Sequence, residues 1–173
     1  MNYREHLSRP LSHRFIDLLV QEILINPSDK DLVFQLIFDP EIKVAWRAAW
    51  ACQKISEKHP QWFNGSQFKI LATLSITTSH GGLQRGCLSI LNNLPVPAEI
   101  SVEFINTCFE RMVSPKSPIA VQALSMKMLF RICAVEPAFK SELIATLENI
   151  DPSDYSAGFN CTRRNVLNSL KNK

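Results

Sequence analysis

The side chains that could ligate a metal ion or act as nucleophiles are few and scattered along this sequence. It contains four histidines and five cysteines in 173 residues. No HExxH pair and no CxxC pair occurs, so neither a zinc site nor a redox-active dithiol is indicated. The histidines are His6, His13, His59 and His80, and the cysteines are Cys52, Cys87, Cys108, Cys133 and Cys161. We therefore predict no catalytic residue, no cofactor site and no metal site.

A glycine-rich stretch at residues 81–86, GGLQRG, superficially suggests a phosphate-binding loop. It has neither the GxGxxG spacing nor the lysine of a Walker motif, and no predicted strand precedes it. A glycine turn that leads into a helix explains the stretch.

Two tryptophans have a spacing that could serve recognition. Trp46 and Trp50 stand at i and i+4, which places them on one face of a helix. Tryptophan is enriched among the residues that dominate binding at protein interfaces. Whether this tryptophan pair could bind a partner depends on which face of the helix it occupies.

The bulk composition is that of an ordinary folded chain. Hydrophobic residues make up 46% of the sequence and charged residues 20%, with a formal net charge of +3 and only 5 glycines. The charge is mild for a dedicated nucleic-acid-binding domain. The odd cysteine number predicts free thiols and a reducing compartment, and no N-terminal signal or apolar run of about 20 residues is evident. We predict a cytoplasmic protein without a membrane span, folded as one domain over residues 1–173.

Hydrophobic periodicity and proline positions predict helices throughout the chain. After a polar N-terminal lead, a first helix is expected from Ser12 to Leu24, followed by a short second helix to Phe38. Residues 41–58 form the central helix, which the His59-Pro60 pair ends. The β-branched run at residues 73–78 predicts fraying of the next helix.

The same helical plan returns at intervals of about 38 residues, which is typical of an α-helical repeat protein. Superposing the first helix of each pair aligns apolar residues in two columns. The first column is Ile16, Cys52, Leu91, Leu129 and Leu167, and the second is Leu19, Ile55, Leu94, Ile132 and Leu170. A single helical pair has too little core to be stable alone, so neighbouring pairs must stack and share one.

The stretch DPEIKVAWRAAWACQKI, residues 39–55, resembles the HEAT/armadillo family of helical repeats. It matches the family pattern at Asp39-Pro40, Val44, Arg47, Ala48-Ala49 and Ile55. The other units depart from the pattern, since Gly86 and Leu124 stand where the arginine is expected. The resemblance implies an all-α fold, an α-α superhelix (a HEAT-like solenoid) of four to five helical hairpins with about nine helices. It also implies an interaction surface, usually on the inner face that the second helices line.

The repeat alignment shows that the tryptophans are not at core positions. The residues aligned with Trp46 and Trp50 in the following units are small or charged: Arg85 and Ser89, and Ala123 and Lys127. One interpretation is that the pair anchors a partner protein or a dimer. The other is that both rings pack against the first repeat, which the usual burial of large aromatic residues favours.

These observations predict a non-enzymatic protein-interaction module or scaffold with a protein partner. Trp46 and Trp50 are the only candidate partner-binding residues, and a homodimer is a further arrangement that the sequence leaves open. The alternative is a nucleic-acid-binding or DNA-repair-like HEAT-repeat protein. That alternative requires lysines and arginines of successive second helices to form one basic stripe. A third alternative, an enzyme of unrecognised class, has no motif in its favour.

Overall fold

The computed structural model describes residues 2–10 and 12–172, which form ten α-helices and no β-strand. None of these helices is long and apolar enough to span a membrane. The helices are α1 (Tyr3–Ser8), α2 (His13–Ile25), α3 (Lys30–Gln35), α4 (Ile42–Lys58), α5 (Gly65–Thr77), α6 (Gly81–Asn93), α7 (Val102–Val113), α8 (Ile119–Val135), α9 (Lys140–Glu148) and α10 (Ala157–Lys171). The all-helical fold predicted from the repeat is confirmed.

Polar residues begin most of the helices. The side chains of Ser12, Ser101 and Ser156 each accept a hydrogen bond from a backbone amide in the first turn of α2, α7 and α10. Asn64 and Gln67 form a reciprocal capping box at the start of α5. These bonds satisfy amides that have no partner inside the helix. Four short 3-10 turns begin with a proline: Pro27–Asp29, Pro60–Trp62, Pro137–Phe139 and Pro152–Asp154.

The helices stack as an α-α superhelix in two layers. The first helix of each hairpin packs against the first helix of the next, in the order α2, α4, α6, α8 and α10. The second helices α3, α5, α7 and α9 pack against the first helix of the following hairpin, which is α4, α6, α8 and α10 in turn. Every hairpin therefore completes its core with residues of its neighbour, as the repeat predicts.

The aligned apolar columns lie in the shared core. Of the first column, Ile16, Cys52, Leu91 and Leu129 are completely buried, and only Leu167 in the last helix is partly exposed. All five residues of the second column are buried. The predicted repeat register is confirmed.

The central helix α4 and its neighbour α6 approach each other unusually closely. A Cβ atom built on Gly86 of α6 would lie 2.8 Å from the Cβ of Ala49 on α4. No real pair of carbon atoms packs at that distance, so the missing side chain of Gly86 permits the observed contact. Gly86 stands where the family pattern has an arginine, and the contact gives a physical reason for that departure.

Two local expectations were wrong. The polar N-terminal lead contains α1, because Tyr3 and Leu7 bury their side chains in the core. Helix α5 does not fray at residue 73, since it continues to Thr77 with the Thr73 and Thr77 hydroxyls bonded to carbonyls one turn back.

Four of the five thiols lie in the core. Cys52, Cys87, Cys108 and Cys133 are buried, Cys161 is exposed, and all five are free. Burial raises the pKa of Cys87 and of Cys108 to about 12, and it also raises the pKa of Cys52 and Cys133. The cause is that a thiolate loses its hydration inside an apolar core.

The close approach at Gly86 predicts a stability loss on adding one methyl group. Alanine is favoured over glycine inside a helix by ~1 kcal/mol, whereas overpacking costs about 1–3 kcal/mol. The control is Gly158→Ala in α10, where nothing lies within 4 Å of the added atom. We expect the Gly86→Ala variant to be about 1–3 kcal/mol less stable than the Gly158→Ala variant in urea unfolding followed by circular dichroism. The swapped pair Ala49→Gly/Gly86→Ala should regain part of the loss, and equal stability of the two alanine variants would contradict the contact.

The burial of the thiols predicts their reactivity. At pH 8 the native protein should react rapidly with a thiol-specific chromogenic disulfide at one cysteine, Cys161, and at all five in denaturant. Peptide mapping of the labelled protein identifies the site. Rapid native labelling of Cys52, which has no exposed surface, would show that the core around α4 opens readily.

Candidate interaction groove

Two adjoining cavities form one groove on the outer surface of the first-helix layer. They measure about 610 and 440 Å³ and share Gln53, Ser89 and Leu124. Residues of α6 form the floor of this groove, and α4 and α8 form its walls. We call it the Trp groove, because Trp46 and Trp50 line its α4 wall at one end.

The two tryptophans stack on each other and are half-buried. Their ring centroids are 6.2 Å apart with an interplanar angle of 12°. The His13 ring of α2 contacts Trp50 edge-on, with 4.6 Å between the two ring centroids. The Arg47 guanidinium carbon lies 5.6 Å from the Trp46 ring centroid. The first repeat thus supports Trp50 from one side, and the pair still faces the groove. Packing against the first repeat is thus observed for Trp50, and partner binding by the pair stays a prediction.

Small residues keep the groove open beside the aromatic pair. Gly82 lies next to Trp46, since a Cβ built on Gly82 would be 3.9 Å from the Trp46 Cγ. Ser89 occupies the middle of the floor, and Ala120 and Ala123 form the opposite wall.

The groove has more positive than negative charge. Arg85 on the floor and Lys127 on the α8 wall are exposed, and Glu57 is the one acidic residue among the lining residues of the two cavities. The end near the tryptophans also lies at the starts of α6 and α8, because a Cβ on Gly81 would be 3.4 Å from Pro118. Helix N-termini have a partial positive charge.

Some basic residues bond to the backbone of a neighbouring helix and are not solvated surface charges. Arg131 is the clearest example. Its Nη1 donates to the carbonyls of Leu91 at 2.9 Å and Asn92 at 2.6 Å, and its Nη2 donates to Leu94 at 2.6 Å. These carbonyls end α6 and have no partner within their own helix. Partial burial lowers the pKa of Arg131 because its charge is partly desolvated.

Three further arginines make the same kind of contact with the end of another helix. Each guanidinium donates to backbone carbonyls in or just after the last turn of that helix, where the negative end of the helix dipole also favours a cation. The pairs are Arg47 with Leu7 and Arg9, Arg111 with Ser75 and Ile76, and Arg163 with Leu147. These guanidinium groups therefore already bond to the fold, which leaves fewer of their donors for phosphates.

The second-helix side of the molecule has charges of both signs. The cavity between α5 and α7, of about 430 Å³, is lined by Lys69, Glu99 and Glu103 together with apolar residues. Lys69 lies 3.8 Å from the Glu99 carboxylate. A basic stripe along the second helices, which the nucleic-acid alternative requires, is not present among these residues.

The four histidines have structural contacts. His6 stacks on Phe15, His59 stacks on Trp62, and His80 accepts a hydrogen bond from the Leu83 amide as the cap of α6. The glycine stretch is therefore the first turns of α6 behind a histidine cap. Within residues 2–10 and 12–172, no group of three histidine, cysteine, aspartate or glutamate side chains could hold a metal ion.

A family model described as HEAT repeat domain matches residues 3–170 of the chain. The chain belongs to this family. The match covers all ten helices, apart from the final residue of α10. The resemblance found in residues 39–55 is thereby confirmed for the whole repeat array.

The HEAT fold is also found in a solved structure, the crystal structure of an engineered protein. The TM-score is 0.60 at 16% sequence identity, and the match covers 98% of this chain and 42% of the engineered protein. The chain thus spans less than half the length of that protein. At this identity the likeness concerns the fold alone. No curated protein matches the chain.

The repeat alignment already contained several of the residues that line the groove. The aligned residues Arg85, Ser89 and Ala123 all line the Trp groove together with the tryptophans. The resemblance implied an interaction surface on the second helices, whereas this groove is built by first helices. The signal was the absence of large apolar residues at these aligned positions, which leaves a depression when the first helices stack.

Replacing Arg131 and Arg85 in turn should distinguish an arginine that stabilises the fold from one that only lines the groove. The Arg131→Met variant should lose about 2 kcal/mol of stability, since three carbonyls at the end of α6 lose a charged donor. Arg85→Met should stay within ~0.5 kcal/mol of the wild type, as is usual for an exposed side chain. Urea unfolding of both variants measures the difference, and similar losses would contradict the assignment.

Proposed function

We propose that this HEAT-repeat chain is a non-enzymatic protein-interaction module or scaffold that holds a partner protein in the Trp groove. The observation behind the proposal is the stacked, half-buried pair Trp46 and Trp50, which faces an open groove built by three helices. The pair is held in place by His13 and Arg47, so binding would cost little side-chain ordering. The free thiols are consistent with a cytoplasmic location.

A protein partner accounts for the groove better than a nucleic acid does. Nucleic-acid affinity rests on several lysine and arginine contacts with phosphates. Here Arg47, Arg111, Arg131 and Arg163 are bonded to backbone carbonyls, and the second-helix side has mixed charge. The two indole rings of the groove match the enrichment of aromatic residues in protein interfaces.

The proposal predicts that binding depends on the aromatic pair. The Trp46→Ser/Trp50→Ser variant should bind the partner at least about 30-fold more weakly, which corresponds to ~2 kcal/mol, the threshold of a hot spot. Ser89→Gln, which fills the floor of the groove without adding a charge, should have the same effect without removing a packed ring. Trp62→Ser is the matched control, because Trp62 stacks on His59 outside the groove.

The measurement begins with affinity capture from a lysate of the source organism, with and without nuclease. A protein retained by the wild type is then purified and titrated against every variant by calorimetry, after circular dichroism has shown each to be folded. Undiminished binding to both groove variants would contradict the proposal. Retention that disappears with nuclease, whatever the tryptophan variant, would support the nucleic-acid alternative, and light scattering shows whether the captured protein is a second copy of the chain.

A further inference from the structure

The Trp groove has the length and shape of a site for one additional helix. Its α4 wall extends from Trp46 to Glu57 and its α8 wall from Ala120 to Arg131. At 1.5 Å per residue, each wall is roughly 16 Å long, or three helical turns. The floor residues Arg85, Ser89 and Asn92 are spaced at i, i+4 and i+7, so the groove follows the axis of α6.

Apolar residues line the groove along its length. Trp46 and Trp50 form the apolar surface at one end, Leu124 lies at the middle, and Phe130 lies toward the other end. A helix lying in a groove presents its apolar side chains at i, i+3, i+4 and i+7. The α4 wall offers such side chains the two tryptophans, and the α8 wall offers them Leu124 and Phe130.

The charges of the groove favour an acidic occupant. Arg85 and Lys127 have no carboxylate within 4.0 Å among the described residues. Glu57, the one acidic residue of the lining, accepts a hydrogen bond from Gln53 of its own helix, and the guanidinium of Arg131 is already bonded to carbonyls at the end of α6. Unpaired cations around an apolar groove attract carboxylates and repel basic peptides.

Positive charge is also present at the tryptophan end of the groove. Arg85 lies in the second turn of α6, and the starts of α6 and α8 meet where Gly81 lies beside Pro118. Helix N-termini favour negative charge within their first turn. An acidic side chain one turn from an apolar anchor would therefore meet Arg85 while the anchor packs on Trp46 and Trp50.

We propose that the Trp groove binds an acidic amphipathic α-helix of about three turns from a partner protein, with an apolar anchor on Trp46 and Trp50 and a carboxylate beside Arg85. This inference rests on the proposed function and adds the chemistry of the partner segment. A single-stranded nucleic acid would also meet aromatic rings and cations. It is less well matched, because two unpaired cations neutralise few phosphates.

The test uses a library of random 16-residue peptides displayed on phage and selected against the immobilised full chain. We expect selected peptides to be enriched in aspartate and glutamate, with an aromatic or large aliphatic residue three or four positions from an acidic one. Synthetic copies of the selected peptides should become helical on binding, as measured by circular dichroism. Binding should weaken at least about 30-fold with the Trp46→Ser/Trp50→Ser variant.

A charge reversal tests the chemistry of the occupant separately. Arg85→Glu/Lys127→Glu should weaken binding of the acidic peptides at least about tenfold and should select basic peptides from the same library. The matched control is Lys116→Glu/Arg164→Glu, which makes the same change in net charge at exposed positions outside the groove. That control should bind the acidic peptides within about twofold of the wild type.

The outcomes distinguish this inference from the proposed function. Peptides that depend on the tryptophans but are neutral or basic, or that bind the reversed-charge variant equally well, would overturn the acidic-helix inference and leave the interaction module standing. Failure to select any peptide, or selection of peptides indifferent to the tryptophan variant, would overturn both. Displacement of a bound peptide by a 16-nucleotide single strand, with comparable affinity for the strand itself, would overturn the inference in favour of a nucleic acid.

Discussion

The close contact between α4 and α6 determines how the first helices stack. Ala49 and Gly86 meet there with no room for one more methyl group on the glycine, so the two backbones lie closer than larger side chains would allow. Interiors pack at the density of organic crystals, and a change of one methylene is felt by the neighbouring residues. Because α6 forms the floor of the Trp groove and α4 one of its walls, the same contact fixes the distance between the tryptophans and Arg85. The stability of the repeat array and the shape of its candidate site depend on one pair of small residues.

Arginines perform a second structural task by joining successive repeats. A helix end has carbonyl groups that its own backbone cannot satisfy, and a stacked helical protein has many such ends at the joints between hairpins. Arg47, Arg111 and Arg131 each reach an end that lies 35 to 40 residues earlier, which is about one repeat away. One guanidinium can satisfy two or three carbonyls, because its donors form a rigid fork. The basic residues of this chain are therefore divided between joints and surface, and a count of lysines and arginines overstates the charge available to a ligand.

Much of the fold could be predicted from the sequence. The repeat period and the two apolar columns can be recognised without knowing which helices pack together. Ile16, Cys52, Leu91 and Leu129 are buried where their alignment places them. Helix α1 could not be predicted in the same way. Only Tyr3 and Leu7 of this short polar segment are buried, and their burial depends on residues distant in sequence. The arginine contacts could not be predicted from local sequence either, because their acceptors are backbone carbonyls about one repeat away. For the groove, the alignment supplied the lining residues Arg85, Ser89 and Ala123, whereas the depth of the groove follows from the helix spacing at Gly86.

The tryptophans occur in one repeat only, at positions where the following repeats have no large apolar side chain. In a repeat array, equivalent positions have equivalent surroundings, so a residue type needed for stacking recurs from unit to unit. Arg85, Ser89, Ala123 and Lys127 occupy the equivalent positions, and the core closes beneath all of them without a large side chain. The array therefore does not need indole rings on this face of α4. Rings that are half-buried, stacked and supported by His13 still expose apolar area to water, which disfavours the unbound state unless a partner covers it. The departure from the repeat, together with an open groove and two unpaired cations beside it, therefore supports the proposal that this face was added to a stable scaffold for interaction.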